Sequence, residues 1–189
     1  MKALRRKYGE VQLWCQDEAR IGLFPITHKV WAPRGERPTV IVERHYQWLY
    51  LYGFVHPESG NVEWLLLPTV STEWFTLALQ EFAMAVRAGP KKHVAIVLDQ
   101  AGWHVSKSLK VPEGIHLIYL PAYSPELQPA EHLWPFFREN LANELFESLA
   151  KLEQRMVARC RELYTEQERI RSATLFYWWP HKKSASVKS

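Results

Sequence analysis

Three acidic residues stand where predicted strands or helices of this sequence begin or end. Asp17 closes an alternating segment, Asp99 directly follows an apolar, β-branched run, and Glu131 lies in the first helical turn after a proline-rich loop. A carboxylate at the edge of an apolar segment needs a cation or hydrogen bonds to offset the loss of water. Taken singly, each acid is equally typical of a turn, a helix cap or the acidic start of a helix.

The chemistry open to these acids depends on whether they meet. If the strands that carry Asp17 and Asp99 are parallel neighbours, the two side chains lie side by side, and the later helix lays Glu131 across them. Three carboxylates this close repel one another unless a divalent cation offsets their charge, and oxygen-only ligands suit Mg²⁺ or Mn²⁺. Two such ions about 3.5–4 Å apart would hold the attacking and leaving oxygens of a phosphoryl transfer.

The elements that must position the acids follow from the periodicity of the sequence. Alternating and apolar runs predict strands, 3.6-residue spacing predicts helices, and proline and glycine mark the breaks. Antiparallel strands come first and alternating helices and strands follow, which predicts an α/β fold with a mixed five-stranded sheet flanked by helices. The predicted elements are a strand over 11–17, an irregular insertion over 18–45 with short extended pieces near 28–32 and 39–43, a hairpin over 46–56 and 61–67, a helix from Ser71 or Thr72 to Gly89, a strand over 93–98, a short helix over 104–110, a strand over 114–120, a helix carrying Leu133 to Leu145, and a helix carrying Leu149 to Leu163.

Pro135 interrupts the helix predicted to carry the third acid. It lies four residues after Glu131. A proline there deletes a backbone donor, and its ring crowds the carbonyl group of residue 131. We therefore expect a kink or a delayed helix start at Glu131.

The sequence segments around the three acids resemble those of a known protein family. Residues 14–20 read WCQDEAR, residues 98–104 read LDQAGWH and residues 120–134 read LPAYSPELQPAEHLW. Together they resemble the catalytic domain of mariner-superfamily transposases, in the bacterial insertion-sequence branch, over roughly 10–165. The resemblance implies a ribonuclease H-like fold and a catalytic, metal-binding DDE triad of Asp17, Asp99 and Glu131, with Asp17 bridging two Mg²⁺ or Mn²⁺ ions and Glu131 on the second. Small departures from the family pattern stand at Gln100, Ala122, Gln128 and Ala130.

By resemblance, the chain would be a metal-dependent DNA transposase and endonuclease. Water would cut DNA at the ends of an insertion element, and the freed 3′-hydroxyl would attack target DNA. The implied partners are element-end and target DNA, a second copy reached on DNA through the loop 18–45, and a helix-turn-helix part encoded upstream. Two alternatives stay open: a ribonuclease H-like metal-dependent nuclease, and an inactive transposase remnant or inhibitor.

Several neighbours of the acids have both a functional and an ordinary explanation. His104 would contact the scissile phosphate or orient Asp99, or it caps and packs. Arg20 would pair with an acid or a phosphate, or it forms a surface ion pair. Glu18 should turn away from Asp17, because neighbouring residues of a strand face opposite sides. The aromatic run 175–179 either docks on the domain, which we favour, or serves a partner.

Composition and charge placement narrow the class of protein. The 189 residues are 47% hydrophobic and 23% charged, and no apolar stretch reaches the about 18 residues of a membrane helix. Two cysteines give no disulfide framework, which fits a cytoplasmic protein associated with the nucleoid when it acts. The net charge of +4 comes from the two ends. We expect a basic lead over 1–10, the catalytic domain over 11–165 and an aromatic, basic tail over 166–189.

Overall fold

A computed structural model describes residues 1–23, 34, 47–141 and 144–180. Its centre is one five-stranded sheet in the order β3-β2-β1-β4-β5. β1 pairs antiparallel with β2 and parallel with β4, so the sheet is mixed, as the order of predicted elements indicates. The strands are β1 (Val11–Gly22), β2 (Trp48–His56), β3 (Asn61–Leu67), β4 (His93–Leu98) and β5 (Ile115–Tyr119).

Helices cover both faces of the sheet, because alternate residues of β1 enter two separate cores. Leu13 and Cys15 pack into one buried cluster, whereas Trp14 packs into the other. The side of Trp14 is covered by α2, and the side of Leu13 by the later helices. The helices are α1 (Lys2–Tyr8), α2 (Thr72–Val86), α3 (Trp134–Leu141), α4 (Leu149–Leu163) and α5 (Gln167–Thr174), with 3₁₀ turns at Pro125–Leu127 and Pro129–Leu133.

The first strand is longer than its predicted range of 11–17. Pairing with β2 continues to Gly22, which lies opposite Trp48. Asp17 therefore sits inside a strand rather than at its end, and the first residues of the predicted insertion belong to the sheet. The extended pieces near 28–32 and 39–43, and Tyr46 at the start of the hairpin, lie outside the described residues.

The predicted helix over 104–110 is wrong, since the structure has only turns there. The His104 side chain is bonded to acids on two strands, and the Ser106 hydroxyl accepts from the backbone N–H of Ser108. Such side-chain bonds to nearby backbone compete with helix formation. Two helices that the sequence pattern did not indicate, α1 and α5, flank the sheet.

The helix starts set by capping and proline are confirmed, whereas two predicted ends are too late: α2 ends at Val86 rather than Gly89, and Leu145 lies outside α3 (Trp134–Leu141). The Ser71 hydroxyl accepts from the backbone N–H of Trp74 at the start of α2. Glu131 lies in the 3₁₀ turn Pro129–Leu133, and α3 begins only at Trp134, so the α-helix starts late, as Pro135 predicts. None of the helices in the described ranges is long and apolar enough to cross a membrane.

We predict that Gly60→Ala destabilises the fold by at least about 2 kcal/mol through backbone strain and overlap. Gly60 has a φ of 72°, and an added Cβ would lie 1.9 Å from the backbone oxygen of Gln167 at the start of α5. Urea unfolding measures the loss. Gly102→Ala is the control, because nothing lies within 4 Å of its added Cβ. Equal unfolding midpoints for the two variants would contradict the prediction.

Candidate active site

The first two acids lie side by side on neighbouring parallel strands. The last residues paired between β1 and β4 are Cys15 and Val97. Two residues further along each chain, the same register brings position 17 level with position 99. Asp17, Asp99 and Glu131 all line one cleft of about 450 Å³, so the three sequence-predicted acids share one side of the sheet.

The surroundings of Asp17 oppose the ionisation of its carboxyl group. Burial and the nearby charge of Glu131 raise the pKa of Asp17 to about 7. A hydrogen bond opposes the shift: the indole N–H of Trp134 donates to Asp17 Oδ2 at 2.7 Å. The cost of keeping this side chain ionised is therefore set by desolvation and by a second carboxylate, which are the two effects that a cation relieves.

Asp99 has the opposite character. Its side chain is 58% exposed, and His104 Nδ1 lies 2.7 Å from its Oδ1. The same oxygen accepts from the backbone N–H of Ala101 at 3.0 Å. The hydrogen bond from His104 lowers the pKa of Asp99, so this acid stays charged at a pH where Asp17, with a pKa of about 7, is partly protonated.

His104 links Asp99 to the far side of the sheet. Its Nε2 lies 2.9 Å from Glu18 Oε1, and only 1% of the His104 side chain is exposed. Burial alone would lower the pKa of His104, but the hydrogen bonds to Asp99 and Glu18 outweigh it and raise that pKa to about 9. A protonated imidazole donates from both nitrogens, so His104 binds Asp99 and Glu18 at the same time. The two functional roles predicted for it from the sequence stay predictions.

Glu18 faces away from the cleft, as strand alternation predicts. Its Oε1 also accepts from the indole N–H of Trp103 at 3.3 Å, and its side chain is only 8% exposed. Glu18 thus belongs to a buried hydrogen-bond network on the face of the sheet opposite the cleft.

Glu131 reaches the cleft from the 3₁₀ turn that precedes α3. Its side chain is exposed, whereas Ala130 and Leu133 on the same turn are buried. The turn is anchored to β1 by Gln128, whose Nε2 donates to the backbone oxygen of Gln16 at 2.9 Å. The neighbouring His132 is exposed and lies against the ring of Phe176.

Not every residue predicted for the site lies in the acid cleft. Arg20 lies outside the lining of the acid cleft, and its guanidinium is 5.2 Å from the ring centroid of Trp48. Across the described ranges, no three His, Cys, Asp or Glu side chains are grouped closely enough to form a ready-made metal site. The acids share a cleft but are not drawn to one point.

The contact between Trp134 and Asp17 was not predicted from the sequence. Trp134 is buried, with 3% of its surface exposed, and its indole N–H is the donor to the first acid. Tyr123 was also missed: it lines the cleft, is fully exposed and has a φ of 58°. The sequence signal for Tyr123 was its place between Pro121 and Pro125.

The aromatic run near the C-terminus docks on the domain through Leu175, Phe176 and Trp179. Trp179 is 2% exposed within the cluster formed by the later helices, whereas Tyr177 is almost fully exposed. The remaining tail, 181–189, lies outside the described residues.

The chain is similar to bacterial and transposon proteins. A family model described as DDE superfamily endonuclease matches residues 12–153. An uncharacterized protein of Sinorhizobium fredii, y4pE/y4sA, is 39% identical over 132 residues, which are 69% of this chain and 96% of that protein. The insertion element IS630 39 kDa protein of Shigella sonnei is 26% identical over 144 residues, or 74% of this chain and 41% of that protein.

Solved structures of a mariner transposase share the fold. A pre-cleavage Mos1 transpososome superposes with a TM-score of 0.60 at 18% identity, covering 92% of this chain and 58% of that one. The Mos1 paired end complex with Mn gives a TM-score of 0.58 at 18% identity, covering 88% and 56%. The chain thus spans less than two thirds of these Mos1 chains. The mixed sheet is the ribonuclease H-like fold that the three motifs predict, and the chain belongs to the DDE superfamily of endonucleases.

Proposed function

We propose that this chain is the catalytic part of an insertion-sequence transposase, which cuts DNA and joins the freed 3′-hydroxyl to target DNA. The observation that carries the proposal is the single cleft lined by Asp17 and Asp99, level on parallel strands, and by Glu131. A fold with alternating strands and helices does not by itself require acids at this point. The family match indicates an endonuclease. The three carboxylates, as a set of oxygen ligands, support metal-dependent phosphoryl transfer.

The donor set fits a hard divalent cation. All three acids offer only oxygen, which Mg²⁺ and Mn²⁺ prefer. The raised pKa of Asp17 marks a concentration of negative charge that a cation would relieve. Mos1 has been solved with Mn and with Mg. In our proposal Asp17 would be shared between two ions, Asp99 would help to hold the first and Glu131 the second, and the cations would stabilise negative charge at the reacting phosphate.

The protein's own groups prepare the acids for this role. His104 holds Asp99 by one oxygen, and Trp134 holds Asp17 by one oxygen. Each acid therefore keeps its second oxygen for a cation. Glu131 has an exposed side chain on a separate, anchored turn, so its carboxylate can rotate toward the other two acids when charge is neutralised.

DNA is the proposed substrate, and the basic helix α1 is a proposed contact with its backbone. Four cations lie on α1, and no ion pair joins any of them to an acid in the described part of the chain. Tyr8 fixes the helix by stacking on His93, with ring centroids 4.0 Å apart. Mos1 has been solved as a strand transfer complex and as a paired-end complex with a transposon end, and we extend DNA binding of this kind to our chain.

The wider assembly is also a proposal. We propose a homodimer on DNA, a helix-turn-helix part encoded upstream, and action in the bacterial cytoplasm at the nucleoid. The division into a lead over 1–10, a catalytic domain over 11–165 and a tail over 166–189 stays a prediction. The loop residues 24–33 and 35–46, assigned to the dimer contact, lie outside the described residues.

We predict that Asp99→Asn lowers Mn²⁺-dependent nicking of DNA by more than about 100-fold, because residues that only support metal ligands already cost 10–100-fold. Nicking of supercoiled plasmid in Mn²⁺ measures the loss. Glu126→Gln is the matched control, since this exposed acid lies in the proline-rich loop beside the cleft but outside the cleft lining. Equal nicking by wild type and Asp99→Asn would favour an inactive remnant or inhibitor.

The products of the same assay separate the two enzymatic functions. A transposase joins a 3′-hydroxyl end to a second DNA, whereas a nuclease only hydrolyses. We expect joined products from a pre-cut oligonucleotide and a plasmid target when the upstream DNA-binding part is supplied. Hydrolysis alone under these conditions would replace the proposed function by the nuclease alternative.

We predict that Arg6→Glu with Lys7→Glu weakens binding to duplex DNA and lowers the salt dependence of binding. Each lost phosphate contact reduces the slope of log K against log salt by about 0.9. Fluorescence anisotropy at several salt concentrations gives the slope. The control is Lys151→Glu with Arg161→Glu, which reverses two exposed cations on α4. An identical slope for both double variants would remove α1 from the DNA-binding surface.

A further inference from the structure

The first acid of the cleft is held by an uncharged donor from another element. The Nε1 of Trp134 donates to Asp17 Oδ2 at 2.7 Å, a short bond for an indole. Trp134 is 3% exposed, so little water competes for this contact. A buried donor of fixed direction can hold a carboxylate in one orientation.

The backbone before and after Trp134 fixes the position of its indole ring. Trp134 is the first residue of α3, directly after the 3₁₀ turn that carries Glu131, and its backbone N–H donates to the Glu131 carbonyl oxygen. Pro135 cannot make a helical bond to that carbonyl, because it has no N–H. The main chain of Trp134 thus binds one acid-bearing residue, and its side chain binds another.

Gly53 makes room for the ring. It lies directly opposite Asp17 in the pairing of β1 with β2. A Cβ on Gly53 would come within 3.0 Å of Trp134 Cη2 and 3.2 Å of Leu133 Cδ1. The indole therefore packs against backbone that carries no side chain. Its Cη2 edge lies over Gly53, and its N–H points to Asp17.

A second indole on the same glycine provides an internal comparison. Trp64 Cζ3 lies 2.9 Å from the position of the same Cβ, and the ring packs edge-on against Phe137. The Nε1 of Trp64 is buried and has no hydrogen-bond partner within the described residues. Two tryptophans therefore share one packing site, but only Trp134 donates to an acid.

We propose that Trp134 is a positioning residue for the cleavage reaction: its indole N–H fixes Asp17 by Oδ2 and leaves Oδ1 for a divalent cation. This role rests on the proposed function, since it concerns the same cleft. Donors behind metal ligands orient the ligand and typically account for 10–100-fold in metal affinity or activity. A neutral donor does so without removing the negative charge that attracts the cation.

The test compares Trp134→Phe with Trp64→Phe. Each variant replaces an indole beside Gly53 by a smaller ring, but only the first removes a donor to Asp17. Mn²⁺ binding is followed by electron paramagnetic resonance of the free ion, and nicking gives kcat and the KM for DNA. For Trp134→Phe we expect a 10–100-fold loss of Mn²⁺ affinity and kcat with KM for DNA unchanged, and for Trp64→Phe changes within about twofold.

A second variant separates the donor from the packing. Benzothienylalanine at position 134, introduced by suppression of a stop codon, keeps the bicyclic shape and replaces the N–H by sulfur. It should keep the packing and the fold, with a lower unfolding midpoint than wild type because Asp17 loses a buried donor, and show the losses of Mn²⁺ affinity and kcat expected for Trp134→Phe. Thermal unfolding monitors stability in all variants.

Two outcomes count against the proposal and are distinct. If wild type binds Mn²⁺ and nicks DNA, but the benzothienyl variant matches it or Trp134→Phe matches Trp64→Phe, the role of Trp134 is wrong and the proposed function stands. If wild type neither binds Mn²⁺ nor nicks DNA, the proposed function falls, and the role of Trp134 falls with it.

Discussion

The placement of a desolvated carboxylate beside other carboxylates is the constraint on which the site depends. Asp17 lies inside the sheet, where burial and the charge of Glu131 both oppose ionisation. Folding can keep such a group only if donors or cations satisfy it. The fold supplies a side-chain donor to each of the first two acids, an indole to Asp17 and an imidazole to Asp99, from elements that leave the cleft open.

The two donors work from opposite faces of one strand. Asp17 and Glu18 are consecutive on β1, so their side chains point to different sides of the sheet. On the cleft side Asp17 meets Trp134, and on the other side Glu18 meets His104, which reaches back to Asp99. Because β1 is central, with β2 on one side and β4 on the other, a single strand carries both networks.

The fold was more predictable from the sequence than the contacts within the site. The apolar run of β4, the cap at Ser71 and the effect of Pro135 are local, and each was read correctly from a few neighbouring residues. The bond from Trp134 to Asp17 joins positions 117 residues apart, and the bond from His104 to Glu18 joins positions 86 apart. Nothing in local periodicity encodes them. The same bonds explain why a helix predicted at His104 is a set of turns, since the histidine is held by the sheet.

Trp134 also links the geometry of two acids that come from different elements. Its backbone N–H satisfies the Glu131 carbonyl in place of the bond that Pro135 cannot make, and its side chain holds Asp17. A shift of the 3₁₀ turn would therefore move the third acid and loosen the first together. Gly53 limits such shifts, because the indole lies against its backbone. The positions of Gly53 on β2, Asp17 on β1 and Pro135 after the turn therefore depend on one another. This dependence accounts for an α-helix that begins at Trp134, three residues after Glu131, rather than at Glu131 itself.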